Sequence, residues 1–225
     1  MTEAETPIVA WGRKVLRNPS ERALAEVIGL RRVPDQRRHD DVVVGAGPAG
    51  LGAAVYGSSE GLDTVVLERS GPGGQAGRSM RIENYLGFPT GITGADLADR
   101  AAVQTAKFGA TLAIASTVAR LSFDGPYEVL ELDDGQRVEA KGVVIASGAD
   151  YRRLDADGVA RFEGAGVYYA ATPPLCRKQT AVIAGGGNSA GPGRGLPLRA
   201  RAARRDGRPR GQPRQEHVAC AAPAP

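Results

Sequence analysis

Asp41–Glu68 reads DVVVGAGPAGLGAAVYGSSEGLDTVVLE. An apolar run, Val42–Val44, ends in glycine, and a second apolar run, Val65–Leu67, ends in an acid. Short β-branched runs of this kind, bounded by turn residues, read as strands buried on both faces. Between them lies a helix rich in Ala and Gly. Gly45, Gly47 and Gly50 stand in G-x-G-x-x-G spacing at the strand-to-helix junction. The first glycine permits the tight turn, the second lets a pyrophosphate approach the backbone, and the third lets helix and strand pack closely. The helix N-terminus then offers free N–H groups and a positive dipole end to phosphates. A glycine triplet alone is weak evidence. Here it follows a strand, opens a helix, and is followed 23 residues after Gly45 by Glu68, close to the spacing expected of the acid that binds ribose hydroxyls. The other reading of Glu68 is an ordinary strand-end acid.

Downstream, Gly71–Gly91 reads GPGGQAGRSMRIENYLGFPTG. Gly73 and Gly74 would let backbone lie against a flat ring, and Gln75 and Asn84 would hydrogen-bond its polar edge. Ile82, Tyr85, Leu86 and Phe88 make the stretch too apolar for a free surface loop. A helix follows, ADLADRAAVQTAKFGA, with Leu97, Ala101, Val103 and Phe108 near one side. TLAIA, TVARLSF, YEVLEL and RVEAKGVVIAS read as strands, with Asp134-Gly135 as a hairpin turn. The order is that of a three-layer α/β nucleotide domain with an inserted β-meander. Ser147-Gly148 after the last strand suits a crossing over a cofactor.

A second glycine motif closes the pattern. In TAVIAGGGNSAG, Gly185, Gly187 and Ala190 repeat G-x-G-x-x-A after a strand, 140 residues beyond the first motif. Two such motifs argue for two dinucleotide sites. No helix follows the second one: GPGRGLPLRARA lacks the apolar side chains to form it.

Residues 1–38 read as the end of something. PIVAW suits a short strand. NPSERALAEVIG suits a helix with Asn18 as N-cap, Pro19 at the first position and Glu21 closing a capping box. RRVPDQRRHD reads as a charged linker. This piece either packs on the body or belonged to an upstream domain.

Composition sets the outer limits. The 225 residues carry 42% hydrophobic residues, enough for one core and part of a second. The net charge of +4 belongs to the C-terminus: eight arginines follow Ala190 against Asp206 and Glu216, so the body before them is slightly acidic. The tail 191–225 holds six prolines and little apolar side chain larger than Ala, and reads as disordered. It has no interleaved aromatics, so nucleic acid is not an expected partner. The N-terminus lacks a signal peptide and no run is long enough to span a membrane, which gives a cytoplasmic expectation. Cys176 and Cys220 have no metal or disulfide spacing, no metal ligand set stands out, and His39 and His217 sit in linker and tail, away from the motifs.

VGAGPAGLGAAVYGSSEGL, PGGQAG, RIENYLGFPTGITG, IASGA and GGGNSAG together resemble the low-molecular-weight thioredoxin reductases of the pyridine nucleotide–disulfide oxidoreductase superfamily. VLRNPSERALAEVIGL resembles the final helix of a thioredoxin-like module placed upstream in fused forms. The resemblance implies a Rossmann-like FAD-binding domain at 39–151, the start of an NAD(P)-binding domain at 152–190, an N-terminal extension at 1–38 and a tail at 191–225. It implies FAD and NAD(P)H as cofactors, the second site being incomplete, and a homodimer. By matching motif, Gly45, Gly47, Pro48, Ala49 and Gly50 would meet the pyrophosphate, and Glu68 the ribose. Gly74, Gln75 and Asn84 would face the flavin, Val118 the adenine, and Ala146 the dinucleotide. Gly185, Gly187 and Ala190 would begin the nicotinamide site. The chain departs from the family at YYAATPP, where Ala170 and Pro173 replace the two redox cysteines, and in lacking the returning segment of the FAD domain. Thiol exchange needs a thiolate, which neither residue supplies, and no catalytic residue is assigned. Two functions stand: a flavoprotein oxidoreductase impaired by truncation, its electron acceptor unidentified, or a non-catalytic dinucleotide-binding fragment.

Arg, Ala, Gly and Pro are the residues that GC-rich codons give when read out of frame, so a change of reading frame near residue 190 is expected. Translating the coding DNA in its other two frames checks this: the family's helix should appear after the second glycine motif, and its absence from both frames ends the idea.

Overall fold

The computed structural model describes residues 7–31, 38–150, 153–154, 157–163, 166–167, 169, 182–183 and 201–202. The chain divides into two compact units, Met1–Gly148 and Ala149–Pro225.

The first unit is organised by β3 (Arg38–Val44) and β4 (Thr64–Glu68), joined by α2 (Pro48–Ser59). They pair in parallel, Val42 with Val65 and Val43 with Val66. Parallel neighbours need a crossover, and α2 supplies it. Alternate residues then sort to opposite faces. Val43 and Val66 pack with Ala46, Leu51 and Ala54 under α2, while Val42, Val65 and Leu67 enter a second buried cluster. Gly50, Leu51, Ala54 and Ser58 form the buried stripe of α2, at helical spacing. α3 (Gly94–Lys107) packs beside α2 and leads into β5 (Thr111–Ile114), which extends the parallel set. Thr93 caps α3, its hydroxyl accepting the Asp96 N–H.

The meander is β6 (Val118–Asp124), β7 (Tyr127–Leu132) and β8 (Arg137–Ile145). It continues the sheet, giving six strands in the order β5-β4-β3-β8-β7-β6. The nine residues of β8 serve two pairings. Arg137–Ala140 run antiparallel to β7, and Glu139–Ile145 run parallel to β3. Leu130, Leu132, Val138 and Ala140 bury the meander's apolar face in the cluster of Val42 and Leu67. The helices bury one set of strand side chains, and the meander's side chains share a buried cluster with the other set.

Four local expectations are corrected. Ser20, not Asn18, caps α1 (Glu21–Val27): its hydroxyl accepts the Ala23 N–H from an extended backbone. Asn18 instead takes φ +43° after a hairpin of β1 (Ile8–Trp11) and β2 (Lys14–Arg17), the second strand of which periodicity did not reveal. The charged linker ends at Arg38, because Arg38–Asp40 join β3. Arg38 bonds Glu139 and stacks on Tyr127, Asp40 pairs with Lys141, and His39 is buried with Nδ1 3.0 Å from Asp63. Val103 faces solvent at 70% exposure; the buried stripe of α3 runs instead through Gly94, Leu97, Ala98 and Thr105. Leu86 is 96% exposed, although Ile82 anchors its loop through mutual backbone bonds with the buried Ile92.

α1 is docked on the body. Ala25 packs with Ile114 and Ala115. Arg22 bonds Asp133, and Arg31, just past the helix, bonds Glu26 and Asp134.

In the second unit, Gly158 precedes the short helix α4 (Val159–Phe162). The Tyr169 hydroxyl donates to Glu163 and accepts the Leu154 N–H. β9 (Val182–Ile183) pairs in parallel with β10 (Arg201–Ala202). The rest of 191–225 lies outside the described residues.

Burial alone would raise the Asp134 carboxyl, but the Gln136 N–H and the Arg31 guanidinium outweigh it, so Asp134 titrates below its ordinary value of 3.8. A depressed native value contributes stability above the unfolded value, lost as pH falls through the native one. Urea unfolding should therefore show Asp134→Asn less stable than wild type at pH 7, by about 1–3 kcal/mol for a hydrogen bond to a charged group. The gap should close progressively below pH 3.8.

Candidate functional site

The site is built where β3, β4, β5 and β8 end. Gly45 leaves β3 at φ +103°, and a Cβ there would lie 2.5 Å from the Ala146 carbonyl oxygen. The Ala146 N–H donates to the Val44 carbonyl at 2.9 Å, which keeps this residue against the end of β3. A Cβ on Gly50 would overlap the Gly45 carbonyl. These two glycines are required by crowding between backbones. Gly47 differs. It is the N-cap of α2, with φ −72°, and nothing lies within 4 Å of where its Cβ would be. Pro48 occupies the first turn of α2, and no side chain caps this end. The positive end of a twelve-residue helix thus lies behind an open backbone.

Glu68 ties the surrounding loops together. It is 8% exposed. Oε2 accepts the Ala46 N–H at 2.7 Å and Oε1 accepts the Ser70 N–H at 2.9 Å. Its backbone carbonyl accepts the Ser116 N–H at 2.9 Å. Each carboxylate oxygen retains a lone pair for a further donor.

The second loop closes on the first. The Gly73 N–H donates to the Ala46 carbonyl at 2.7 Å, and a Cβ on Gly74 would lie 3.2 Å from the Gly47 Cα. Gly73 also abuts α3, where its Cβ would come 2.6 Å from that of Ala98. Gln75, half-buried, opens the 3₁₀ turn Ala76–Arg78. Asn84 is exposed in the bend after Ile82. Its neighbour Tyr85 lines a crevice with Pro48, Leu51, Gly73, Ala76 and Leu97, which brings the 82–92 loop beside the start of α2. Val118 opens β6, half-buried against the cluster of Val42, and Ala146 packs half-buried on the cluster of Val43. Ala49 is exposed in the first turn of α2.

The structure thus gathers Gly45, Gly47, Pro48, Gly50, Glu68, Gly74 and Ala146 around one turn. Ser70 and Ser116 hold Glu68 without having been singled out in the sequence. A backbone N–H donor carries no residue signature, so only the tertiary placement shows them. The Ser116 hydroxyl is buried with no partner among the described residues. Gly185, Gly187, Ala190, Ala170, Pro173 and both cysteines lie outside the described residues. Among the described residues no cluster of three or more His, Cys, Asp or Glu side chains could hold a metal, and no helix is long and apolar enough to cross a membrane.

The family model for pyridine nucleotide-disulphide oxidoreductases matches residues 39–191. The chain belongs to this family. Within it, the thioredoxin reductase of Listeria innocua is 35% identical over 158 residues, covering 69% of this chain and 49% of the relative. That of Bacillus subtilis is 35% identical over 159 residues, with the same shares. The chain spans about half the length of these curated relatives. Among solved structures, Lactococcus lactis thioredoxin reductase superposes with a TM-score of 0.61 at 34% identity, covering 68% of this chain and 50% of that one. The T. acidophilum enzyme gives 0.60 at 33%, with shares of 68% and 50%. The described sheet, parallel through β5, β4, β3 and the end of β8 with α2 as crossover, is Rossmann-like, as the likeness to these solved structures requires.

The crowding separates the three glycines by experiment. Gly45→Ala and Gly50→Ala should each destabilise the first unit by about 2–4 kcal/mol, through overpacking against backbone. Glu68→Gln should cost about 1–3 kcal/mol, because its amide NH₂ must face a buried N–H. Thermal unfolding followed by circular dichroism reads all three.

Proposed function

We propose that the chain is a flavin-dependent oxidoreductase of thioredoxin-reductase type, holding FAD with residues 41–146 and drawing hydride from NAD(P)H. The observation that carries this reading is the contrast within one motif: backbone crowds Gly45 and Gly50, while the space over Gly47 is open at the N-terminus of α2. A Cβ at Gly47 would fill the space a pyrophosphate needs. The N–H groups following Gly47, including that of Ala49, bind its oxygens. Glu68 keeps its bonds to Ala46 and Ser70 and accepts a ribose hydroxyl on a remaining lone pair. Gly74 lets backbone lie against the ring system, Gln75 and Asn84 bond its polar edge, Val118 supports the adenine, and Ala146 lies beside the dinucleotide. The relatives' name supports this assignment, since thioredoxin reductases are 35% identical to this chain over 158 and 159 residues.

FAD, when bound, supplies the acceptor for two electrons from a reduced nicotinamide. This chain's residues bind and orient it and keep its phosphates on the helix end. Gly185, Gly187 and Ala190 begin the NAD(P)H site. Ala170 and Pro173 carry no thiol to form a dithiol relay, so the electrons pass to another acceptor. A homodimer belongs to the same reading, and sedimentation of the purified chain measures it.

The purified chain should be yellow and should bleach on adding NADPH. A colourless chain that binds dinucleotide without bleaching supports the non-catalytic reading instead. Freed of FAD, Gly47→Ala should unfold at the temperature of FAD-free wild type, since its Cβ meets nothing, yet bind FAD about tenfold more weakly, or ~1.4 kcal/mol. Normal FAD affinity in that variant would remove the pyrophosphate from this site.

A further inference from the structure

α1 meets the sheet at the end of the edge strand β5, where Ile114 pairs with Glu68 of β4. Ala25, 5% exposed, packs with Ile114 and Ala115 at the end of β5. Ala115 is held at φ +57°, a conformation that L-residues other than Asn and Asp avoid and that persists only where the surroundings impose it. The next residue, Ser116, donates its N–H to the Glu68 carbonyl, and the one after it, Thr117, accepts the Asp133 N–H at 2.9 Å. Asp133 and Asp134 are the acids gripped by Arg22 and Arg31. Both sides of Ala115–Thr117 are therefore clamped by the N-terminal piece: one directly by Ala25, the other through the acidic turn. From Ser116 the bonds continue through Glu68 to the Ala46 N–H in the glycine turn.

The clamp is strongest at Arg31. Its side chain is 7% exposed and its partner Asp134 13%, against 33% for Arg22 and 44% for Asp133. Without Arg31, Asp134 keeps the Gln136 N–H at 3.0 Å and a more distant cation, Arg22, at 3.9 Å, but loses its nearest charge partner in a largely buried place, so the turn shifts toward water.

We propose that α1 is a positioning element for the adenosine half of the dinucleotide site, with Arg31 acting through Asp134 and Ala115–Thr117 on the placement of Glu68 and Val118. The inference rests on the dinucleotide reading above. It makes the N-terminal segment part of the site's machinery: whatever lifts α1 from the body loosens the bound dinucleotide, and, by reciprocity, the dinucleotide holds α1 down.

Titration of wild type and Arg31→Ala with FAD and separately with ADP tests this, at a temperature where circular dichroism shows both proteins folded. Arg31→Ala should weaken both ligands by a similar factor, about five- to tenfold. Arg22→Ala, the milder variant, should move both in the same direction by less. Arg38→Ala, which breaks the Arg38–Glu139 pair at the opposite end of β3, should leave both unchanged. Wild-type affinity in both Arg31→Ala and Arg22→Ala overturns the proposal, and so does an equal loss in Arg38→Ala, which would mark general loosening. A wild-type chain that binds ADP but not FAD defeats the flavin reading while the ADP arm still decides the role of α1. A wild-type chain that binds neither defeats both.

Discussion

The buried carboxylate of Glu68 is the interaction on which the site depends. A carboxylate that is 8% exposed is tolerated only with donors in place, and its two are backbone N–H groups from separate loops. Charge-assisted bonds of this kind are stronger than neutral ones. Through them the end of β4 dictates where the turn after β3 lies. The Glu68 carbonyl does the same for the segment after β5, and the Ala46 carbonyl for the loop at Gly73. Three loops at one end of a parallel sheet, those after β3, β4 and β5, are thus locked to one another. Such preorganisation lowers the ordering cost of binding.

Legibility in the sequence follows from which forces are local. Val42–Val44 and Val65–Leu67 announce two-faced strands because both faces are in fact covered, by α2 on one side and the meander on the other. The glycines at 45 and 50 were legible because a Cβ there is excluded by neighbouring backbone. The helix cap was not: Asn18 and Ser20 are both good caps in isolation, and the hairpin of β1 and β2 decided between them by taking Asn18 as its end. Arg38–Asp40 looked like linker because their partners, Glu139, Tyr127 and Lys141, stand about a hundred residues away. Leu86 and Val103 read as apolar and are exposed, since periodicity reports the residue's chemistry and not whether a neighbour arrives to cover it.

The meander is a continuation of the sheet and not an appendage. β8 carries both halves, antiparallel at its start and parallel at its end, so the alternation of its side chains must satisfy two sets of neighbours. Val138 and Ala140 bury, while Val144 and Ile145 at the site end stand exposed. The strand is buried where it meets the meander's core and exposed where it reaches the glycine turn.

The pairing of β3 with β8 also orders events in time. Arg38 and Glu139 are neighbours across the sheet but 101 residues apart along the chain. Contacts of such sequence separation are slow to close, because loop entropy is lost before the contact repays it. As the chain leaves the ribosome, β3, α2 and β4 are complete long before β8 emerges. Until then the inner edge of β3 stands unpaired, and Val42 lacks the meander that buries it. An unpaired apolar edge of this kind is a template for other chains. The nascent protein is most exposed to misassembly in that interval, and the emergence of residues 137–145 ends it.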